Sequence, residues 1–280
     1  MLVADSAPWI NEPGLVSIII PAYNCGKYIT VMLDSIFQQT YQKFEIIIAY
    51  DEKSTDNTLD IINNYTSDNR LIVDTAIDSC LGAARKRGAQ FAKGEYIIHI
   101  DADDMLTPSF LSDLLSIFRQ YPHLQVVCGT ALSSSESDVE NKYNRCMSSS
   151  IDSCLYSQVD AIKHWVNWSP IDRHIWVWLI KREFIDENNI YHPLCTYGED
   201  QIFTVQLLLN TDEIGYCGRC GYIYISHITS LIGRQKNPFE RWEDNAVLRK
   251  ELSHLLLEKY PEIDKTVRNQ FAWVFTLARP

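Results

Sequence analysis

The stretch Tyr96-Ile-Ile-His-Ile-Asp-Ala-Asp-Asp104 decides how this chain folds. Its first five residues are mostly apolar, which is typical of a buried strand, and three carboxylates follow at Asp101, Asp103 and Asp104. In an open α/β sheet, ligands bind just beyond the carboxyl ends of the strands. The triplet alone leaves one alternative open, which is an Asp-rich turn that leads into a helix.

Two of these carboxylates fit a metal site. Asp101 and Asp103 are two residues apart, so an extended backbone would direct both side chains the same way. Like charges at that spacing repel each other unless a cation lies between them. Mg²⁺ and Mn²⁺ prefer carboxylate oxygens and keep positions open for substrate phosphates. The pattern therefore predicts a Mg²⁺ or Mn²⁺ site at the end of this strand.

The first half of the chain alternates between strand and helix patterns. Apolar runs of strand length lie at 16–20, 44–49, 71–75, 96–100 and 125–129. The segments between most of them carry the apolar stripe of a surface helix. This alternation predicts an α/β fold with a mostly parallel central sheet flanked by helices. Three strand ends are polar: Pro21 to Asn24, Asp51 with Glu52, and Asp101 to Asp104. Because these ends share one edge of a parallel sheet, we expect one binding site there.

The remaining segments give weaker signals. Residues 1–14 are predicted to be a loose lead-in, because they carry two prolines and a glycine. Residues 131–158 are rich in serine and are expected to form a long connection with a mobile loop that closes over the site. Residues 214–232 indicate a strand or hairpin, and residues 236–280 a helical tail.

Cysteines and tryptophans leave alternatives open. The eight cysteines are expected to be buried thiols. Cys217-Gly-Arg-Cys220 is either a tight turn between strands or half of a zinc site that lacks its two other ligands. The tryptophans from Trp165 to Trp178 are either core or a stacking wall for a sugar, and we expect mixed roles.

Composition limits the partners. Of 280 residues, 46% are hydrophobic, which is enough for a sizeable core, and the net charge is −11. Such a chain has no basic surface for nucleic acid, so nucleic acid is not an expected partner. Residues near the amino terminus show no signal peptide pattern, and no apolar run reaches the length of a membrane span. We therefore expect a cytoplasmic protein, either free or peripheral at the inner face of the membrane.

Several motifs together resemble those of the family 2 glycosyltransferases. They occur in the family's order, at Val16 to Asn24, Asp51, Ala84-Arg85, Gly94 to Asp104, and Gly198-Glu199-Asp200. The resemblance implies an inverting enzyme with a GT-A (Rossmann-like) fold over residues 15–235. Residues 15–130 would be the nucleotide-sugar half, residues 131–235 the acceptor half, and residues 236–280 a C-terminal helical extension.

The resemblance also implies which residues bind the nucleotide sugar. Pro21, Ala22 and Tyr23 resemble the segment that packs on the base and ribose, and a tyrosine ring offers a stacking face. Asp51-Glu52 lies where the family usually has Asp-Asp, so one of these two carboxylates is expected to accept from the base.

Further donor-side residues follow from the same resemblance. Arg85 resembles the family arginine near the nucleotide, and Asp101 and Ala102 belong to the same binding segment. A lone arginine on a helix is otherwise a solvent-facing charge.

Metal and base positions are implied in the same way. Asp103, with Asp101, matches the D-x-D motif that holds a divalent metal on the diphosphate, and His227 lies where some relatives place a group near the metal or phosphate. Asp104 would support the site from behind. Glu199-Asp200 matches the pair that carries the catalytic base, with Asp200 as the base; a pair of acids before an apolar helix also favours the helix dipole.

The expected function is transfer of a sugar from a nucleoside diphosphate sugar, with a uridine diphosphate donor favoured, to a saccharide or lipid-linked saccharide. The C-terminal helices would contact a membrane or a second subunit. A glycoside hydrolase needs two carboxylates but no D-x-D, and a nucleotidylyltransferase is expected to have a Gly-rich loop where Pro21 to Asn24 lies. A non-catalytic nucleotide- or carbohydrate-binding module is the alternative from another class, and it would not need Asp200.

Overall fold

The structure is a computed structural model that describes residues 11–149, 153–167 and 170–227. Within these ranges the strands form one nine-stranded sheet. The strands are β1 (Glu12–Ala22), β2 (Phe44–Asp51), β3 (Leu71–Ala76), β4 (Gly94–His99), β5 (Met105–Leu106), β6 (Val126–Ser135), β7 (Cys154–Ser157), β8 (Trp178–Lys181) and β9 (Glu213–Ser226). The α-helices are α1 (Ile29–Phe37), α2 (Thr58–Asn63), α3 (Leu81–Ala89), α4 (Phe110–Gln120), α5 (Val139–Ser148), α6 (Gln158–Val166), α7 (Arg182–Glu187) and α8 (Glu199–Asn210).

The first four long strands confirm the predicted α/β fold. They lie in the order β3-β2-β1-β4, and every neighbouring pair is parallel. In the register, Ile18 of β1 lies between Ile46 of β2 and Ile98 of β4. Because all four strands point the same way, their carboxyl ends meet at one edge, as expected for a ligand site.

Helices cover both faces of this parallel sheet, which explains its continuous apolar strands. Ile18 and Ile20 of β1 belong to the core cluster that includes α1, whereas Ile19 packs with residues beside α3 and α7. A Cβ atom at Gly88 of α3 would lie 2.7 Å from Cγ2 of Ile19, so this glycine lets α3 approach the sheet closely.

The second half of the chain joins the sheet through antiparallel strands. Strand β8 lies between β4 and β6 and is antiparallel to both, with Tyr96 of β4 opposite Lys181. The start of β8 therefore lies beside the carboxyl end of β4. A short 3-10 helix, Ile175–Val177, leads into β8 at this edge. Residues distant in sequence thus reach the edge that the carboxylates occupy.

The expectation of a long mobile connection over residues 131–158 is wrong. Strand β6 continues to Ser135, and α5 and β7 follow it. These elements lack an apolar pattern in the sequence, because β6 beyond Gly129 has a half-exposed face and α5 buries only Cys146. The lead-in is also shorter than predicted, because β1 begins at Glu12.

Of the two alternatives predicted for residues 214–232, the strand is the one found: β9 is a single long strand over Glu213–Ser226, and residues 228–232 lie outside the described residues. It pairs with β6, β7 and β5 and includes both Cys217 and Cys220, so these cysteines do not form a tight turn. The only group of potential metal ligands in the described ranges lies elsewhere, at Asp101, Asp103 and Asp104. The eight cysteines are thiols outside any disulfide and six are buried, which confirms the expectation of buried thiols.

The described tryptophans of the acceptor half belong to the core. Trp165 and Trp178 are fully buried, and Trp176 is 5% exposed. Trp176 stacks on Tyr222 of β9 with ring centroids 4.3 Å apart. These three rings therefore form no wall for a sugar. Trp168 and the predicted helical tail of residues 236–280 lie outside the described residues, and no helix in the described ranges is long and apolar enough to span a membrane.

Candidate active site

The carboxylates that follow β4 lie close together but have different surroundings. Asp101, Asp103 and Asp104 each place a carboxylate oxygen within 4.8 Å of the others. Asp104 is 1% exposed, and its two oxygens accept hydrogen bonds from the Tyr222 hydroxyl at 2.6 Å and the Ile225 N–H at 2.8 Å. Burial, together with the neighbouring charges of Asp103 and Asp101, holds the pKa of Asp104 well above its usual value. Asp104 therefore fixes β9 to the site, and Asp101 and Asp103 are the two that face outward.

His227 contacts Asp103 directly. Its Nε2 lies 2.7 Å from Oδ2 of Asp103, and its ring stacks on Tyr28 with centroids 4.1 Å apart. Tyr28 lies just before α1, and its hydroxyl donates to Glu136 at 3.1 Å. The sequence motifs gave no signal for Tyr28 or Glu136, because the contact joins segments about one hundred residues apart.

Asp101 is paired with a buried arginine. Nη2 of Arg85 donates to Oδ1 of Asp101 at 2.7 Å, and Arg85 is only 2% exposed. The Nε atom of the same guanidinium lies 3.2 Å from Oε1 of Glu199, at the start of α8. Burial lowers the pKa of Arg85, but the charges of Glu199, Asp101 and Asp200 outweigh this effect and raise it. The predicted site residue Arg85 thus lies beneath the site surface and stays charged.

Glu199 and Asp200 occupy the first turn of α8 after Gly198, whose φ of 73° requires the left-handed region that glycine tolerates. Glu199 is 2% exposed, and burial raises its pKa to about 8 although Arg85 opposes the shift. Asp200 is half-buried, and its Oδ1 accepts from the N–H of Gln201 at 2.8 Å. Only Asp200 of this pair is open to a ligand.

His174 is a residue at this edge that sequence reasoning missed. Its Nδ1 lies 2.7 Å from Oδ1 of Asp172, and its ring stacks on Trp176. Burial lowers the pKa of His174, but Asp172, Asp200 and Asp101 raise it above its usual value overall. The pair Asp172-x-His174 before an aromatic run was the one available signal.

The residues predicted to hold the nucleotide lie at the ends of β1 and β2. In the register, Pro21 is opposite Ala49 and Ala22 is opposite Tyr50. Tyr23, just beyond β1, is 49% exposed, so its ring face is available to a ligand.

Asp51 and Glu52 end the neighbouring strand. Asp51 is half-buried and accepts from the Lys53 N–H at 3.0 Å, whereas Glu52 is exposed and donates its own N–H to Ala76. Lys53 extends its Nζ to the carbonyl oxygen of Asp78 at 2.6 Å. Ala102 is 6% exposed and lies between Asp101 and Asp103 in the chain.

Comparisons of the sequence with known proteins find glycosyltransferases. A family model described as "Glycosyl transferase family 2" matches residues 17–188. The chain is 29% identical over 265 residues to the putative glycosyltransferase EpsH of Bacillus subtilis, which covers 90% of this chain and 74% of that protein.

Two solved structures share the fold. The structure of Staphylococcus aureus TarS 1-349 in complex with UDP-GlcNAc matches with a TM-score of 0.66 at 19% identity, covering 95% of this chain and 81% of that chain. A mannosyltransferase, PcManGT from Pyrobaculum calidifontis in complex with GDP-Man and Mn²⁺, matches with a TM-score of 0.55 at 16% identity, covering 98% of this chain and 84% of that chain. At these identities the likeness concerns the fold.

Proposed function

The chain belongs to glycosyl transferase family 2, and on this premise we propose that it moves a sugar from a uridine diphosphate sugar to a hydroxyl group of a saccharide or lipid-linked saccharide, with inversion at the anomeric carbon. The observation that carries the proposal is the meeting of three half-exposed carboxylates, those of Asp101, Asp103 and Asp200, at one sheet edge. Asp101 and Asp103 follow β4, and Arg85 joins Asp101 to the helix that carries Asp200.

A uridine nucleotide is the proposed donor. The TarS structures that share the fold contain UDP or UDP-GlcNAc, and PcManGT contains GDP-Man. In this chain the exposed ring of Tyr23 and the carboxylates of Asp51 and Glu52 lie on neighbouring strand ends, where a base could stack and donate. A guanosine donor is the competing outcome of the binding test.

Asp101 and Asp103, with His227, are the proposed ligands of Mn²⁺ or Mg²⁺. Two half-exposed carboxylates form the oxygen donor set that such hard cations prefer, and the oxygens of Asp104 are already engaged. A divalent cation bound here supplies positive charge to a leaving diphosphate. His227 lies in contact with Asp103, so it would either join the ligands or hold that carboxylate in place.

Asp200 is the proposed general base. An acceptor hydroxyl that attacks the anomeric carbon must lose its proton, and one carboxylate within hydrogen-bond reach is sufficient for this. Asp200 is half-buried at the start of α8, whereas Glu199 is buried behind it. In this arrangement the chain holds the reacting proton at a carboxylate oxygen of Asp200.

The test is a panel of nucleotide sugars with and without Mn²⁺, in which released nucleoside diphosphate is measured. We expect release only with a uridine donor, an acceptor and metal, and loss of release when a chelator is added. Binding of UDP with Mn²⁺ by calorimetry supplies an independent measurement. Nucleotide binding without any transfer to a broad acceptor panel would favour the non-catalytic binding module.

The division of labour along the chain is part of the same proposal. Residues 15–130 would bind the donor and residues 131–235 the acceptor, with residues 1–14 as lead-in and residues 236–280 as a C-terminal extension. The cytoplasmic or peripheral location, and contact of that extension with a membrane or a second subunit, stay predictions. Fractionation of cells that express the chain with and without residues 236–280 would test them.

A further inference from the structure

The guanidinium of Arg85 lies in the interior, between two parts of the active site. Its side chain is 2% exposed, although it comes from the first half of a helix that runs along the sheet surface. Its Nε and Nη1 atoms are fully buried and make no hydrogen bond within the described ranges. A donor nucleotide at the sheet edge could not reach these atoms without displacing protein groups.

Two carboxylates on different elements share this one cation. Asp101, after β4, accepts from Nη2 at 2.7 Å, and Glu199, in the first turn of α8, lies 3.2 Å from Nε. The two acidic residues are 98 positions apart in the sequence. Glu199 is itself buried, and its Oε2 has no hydrogen-bond partner in the described part of the chain. The arrangement thus connects the proposed metal side to the helix of the proposed base.

The start of α3 is hydrogen-bonded to the segment that precedes α8. The N–H of Gly82 donates to the carbonyl oxygen of Cys195 at 3.1 Å. A Cβ atom at Gly82 would lie 1.9 Å from the carbonyl oxygen of Pro193, so only glycine permits this approach. Helix α3 is therefore packed against the chain that leads to Asp200, and Arg85 follows one turn later on the same helix.

We propose that Arg85 and Glu199 form a buried link that positions Asp101 relative to Asp200 and that neither residue touches a substrate. The link rests on the proposed function, because it matters only if both carboxylates act in one reaction. Asp101 and Asp200 lie on separate elements, and the guanidinium of Arg85 fixes their spacing through its hydrogen bond to Asp101 and its ion pair with Glu199. Misplacement of a reacting group by about 1 Å costs about 10²-fold in rate, so such a link affects turnover more than binding.

The experiment compares four single variants, one double variant and one control variant. Arg85→Met removes the positive charge, and Arg85→Lys keeps the charge but loses the planar guanidinium group with its several N–H donors. Glu199→Gln keeps an oxygen that can accept from Nε, and Glu199→Leu removes it. Lys86→Ala is the matched control, because Lys86 is the exposed neighbour of Arg85 on α3. For each protein, kcat at saturating donor, the Kd for UDP with Mn²⁺ and the melting temperature are measured.

We expect Arg85→Met to lower kcat by about 10²-fold or more while the Kd for UDP changes by less than about threefold. Arg85→Lys should recover part of the rate. Glu199→Gln should lose less than about tenfold, the scale of one hydrogen bond, and Glu199→Leu about as much as Arg85→Met. The double variant Arg85→Met/Glu199→Leu should be no slower than the worse single variant, because residues that act as a unit are not additive.

Three results would overturn the link. A tenfold or larger rise in the Kd for UDP in Arg85→Met would make Arg85 a nucleotide contact. Loss of transfer in Glu199→Gln equal to that in Glu199→Leu would make Glu199 a proton-transferring group. Additive losses in the double variant would mean that the two residues act separately.

Failure of the link and failure of the proposed function give different results. If the wild-type chain neither binds a nucleoside diphosphate nor transfers a sugar, the proposed function is wrong. The melting temperatures then still test whether Arg85 and Glu199 are coupled. If they are, the double variant Arg85→Met/Glu199→Leu is no less stable than Arg85→Met alone. If Arg85→Met does not fold, Arg85→Lys and Glu199→Leu give the same comparison of kcat with Kd.

Discussion

Two pairs of adjacent acids, Asp103-Asp104 and Glu199-Asp200, meet at the same sheet edge with the same division of roles. In each pair one member is buried and the other is half-exposed: Asp104 and Glu199 point inward, and Asp103 and Asp200 point to the site. The two buried members differ in their partners. Asp104 is held by a hydroxyl and a backbone N–H, whereas Glu199 faces the charged Arg85.

The difference in partners affects the pKa of each buried acid. Burial and nearby carboxylates raise the pKa of an interior carboxyl, and hydrogen bonds from neutral donors oppose this rise only in part. This is the direction for Asp104. A nearby cation opposes that shift, and the pKa of Glu199 rises only to about 8. We therefore expect that an amide can replace the Asp104 carboxyl with little loss of stability. Glu199, in contrast, depends on its contact with Arg85. The outward acids have a different requirement, since ligand chemistry needs them ionised.

The largest effect expected on rate with donor binding retained is at Asp200, the outward member of its pair. Asp200→Asn keeps the shape of the side chain and removes its ability to take a proton. We expect the transfer rate to fall by about 10² to 10⁴-fold, as for loss of a general base. The affinity for UDP with Mn²⁺ should remain within a few-fold, because the donor site is built on β1, β2 and β4.

A control for this variant is Asp186→Asn, which changes a half-exposed acid on α7 and should leave the rate unaltered. If Asp200→Asn transferred sugar at the wild-type rate, Asp200 would not be the base. Loss of donor binding instead would show that the two halves of the chain do not divide donor from acceptor.

Asp103, the outward member of the other pair, should show its effect in donor binding. Asp103→Ala removes a proposed metal ligand, so we expect turnover to be abolished and the affinity for UDP in Mn²⁺ to fall by about 10²-fold. Calorimetric titrations with and without EDTA measure this. Wild-type activity of Asp103→Ala in the presence of the chelator would contradict the metal role.

Asp104 should behave as a structural residue. Asp104→Ala leaves the Tyr222 hydroxyl and the Ile225 N–H without acceptors, so we expect a loss of about 1–3 kcal/mol in the free energy of unfolding. Asp104→Asn can accept from Ile225 and donate to Tyr222, and it should stay close to wild type. Denaturant unfolding of both variants checks this pair, and equal stability of the two would contradict the assigned role.

The smallest expected effect is a change in the pH dependence of stability at Glu199. The pKa of this carboxyl rises from 4.5 to about 8 on folding, so the folded state binds more protons than the unfolded state between these values. The stabilising contribution is complete below about pH 4.5 and is lost as the pH rises towards 8. Glu199→Gln cannot titrate, so its stability relative to wild type should increase with pH across this window. Melting temperatures from pH 5 to pH 8.5 measure the trend, and parallel curves would show that Glu199 does not titrate on its own.

Local sequence was a good guide wherever one periodic pattern covered a whole element. The runs at 16–20, 44–49 and 71–75 became β1, β2 and β3, and the apolar stripe from Ile29 to Phe37 became α1. The motif order also predicted the family, through its resemblance to known members, and the strand-helix alternation predicted that the polar strand ends share one edge. The interpretation failed over residues 131–158, where Ser-rich strand and helix faces lack the apolar spacing that marks a buried element.

Local sequence patterns did not predict which side chains of the site contact each other. Sequence reasoning gave Asp104 a supporting place behind Asp103 but could not give the contacts: Asp104 packs under β9, and Asp103 contacts His227. It predicted Arg85 near a nucleotide but not its partners, and the structure places its guanidinium between Asp101 and Glu199. His174, Asp172 and Tyr28 had no recognised motif.

The sequence by itself therefore determined the strand-helix alternation, the acidic strand end after Tyr96 to Ile100 and the family. Those features depend on residues close together in the chain, through the period of a strand or helix and the preferences of turns. Only the tertiary structure decided which acid of each adjacent pair is buried. That choice depends on strand β9 packing over Asp104 and on helix α3 bringing Arg85 beneath α8, contacts that span about one hundred residues or more. Burial and partner charge then set which carboxyls hold a proton and which remain open to a ligand.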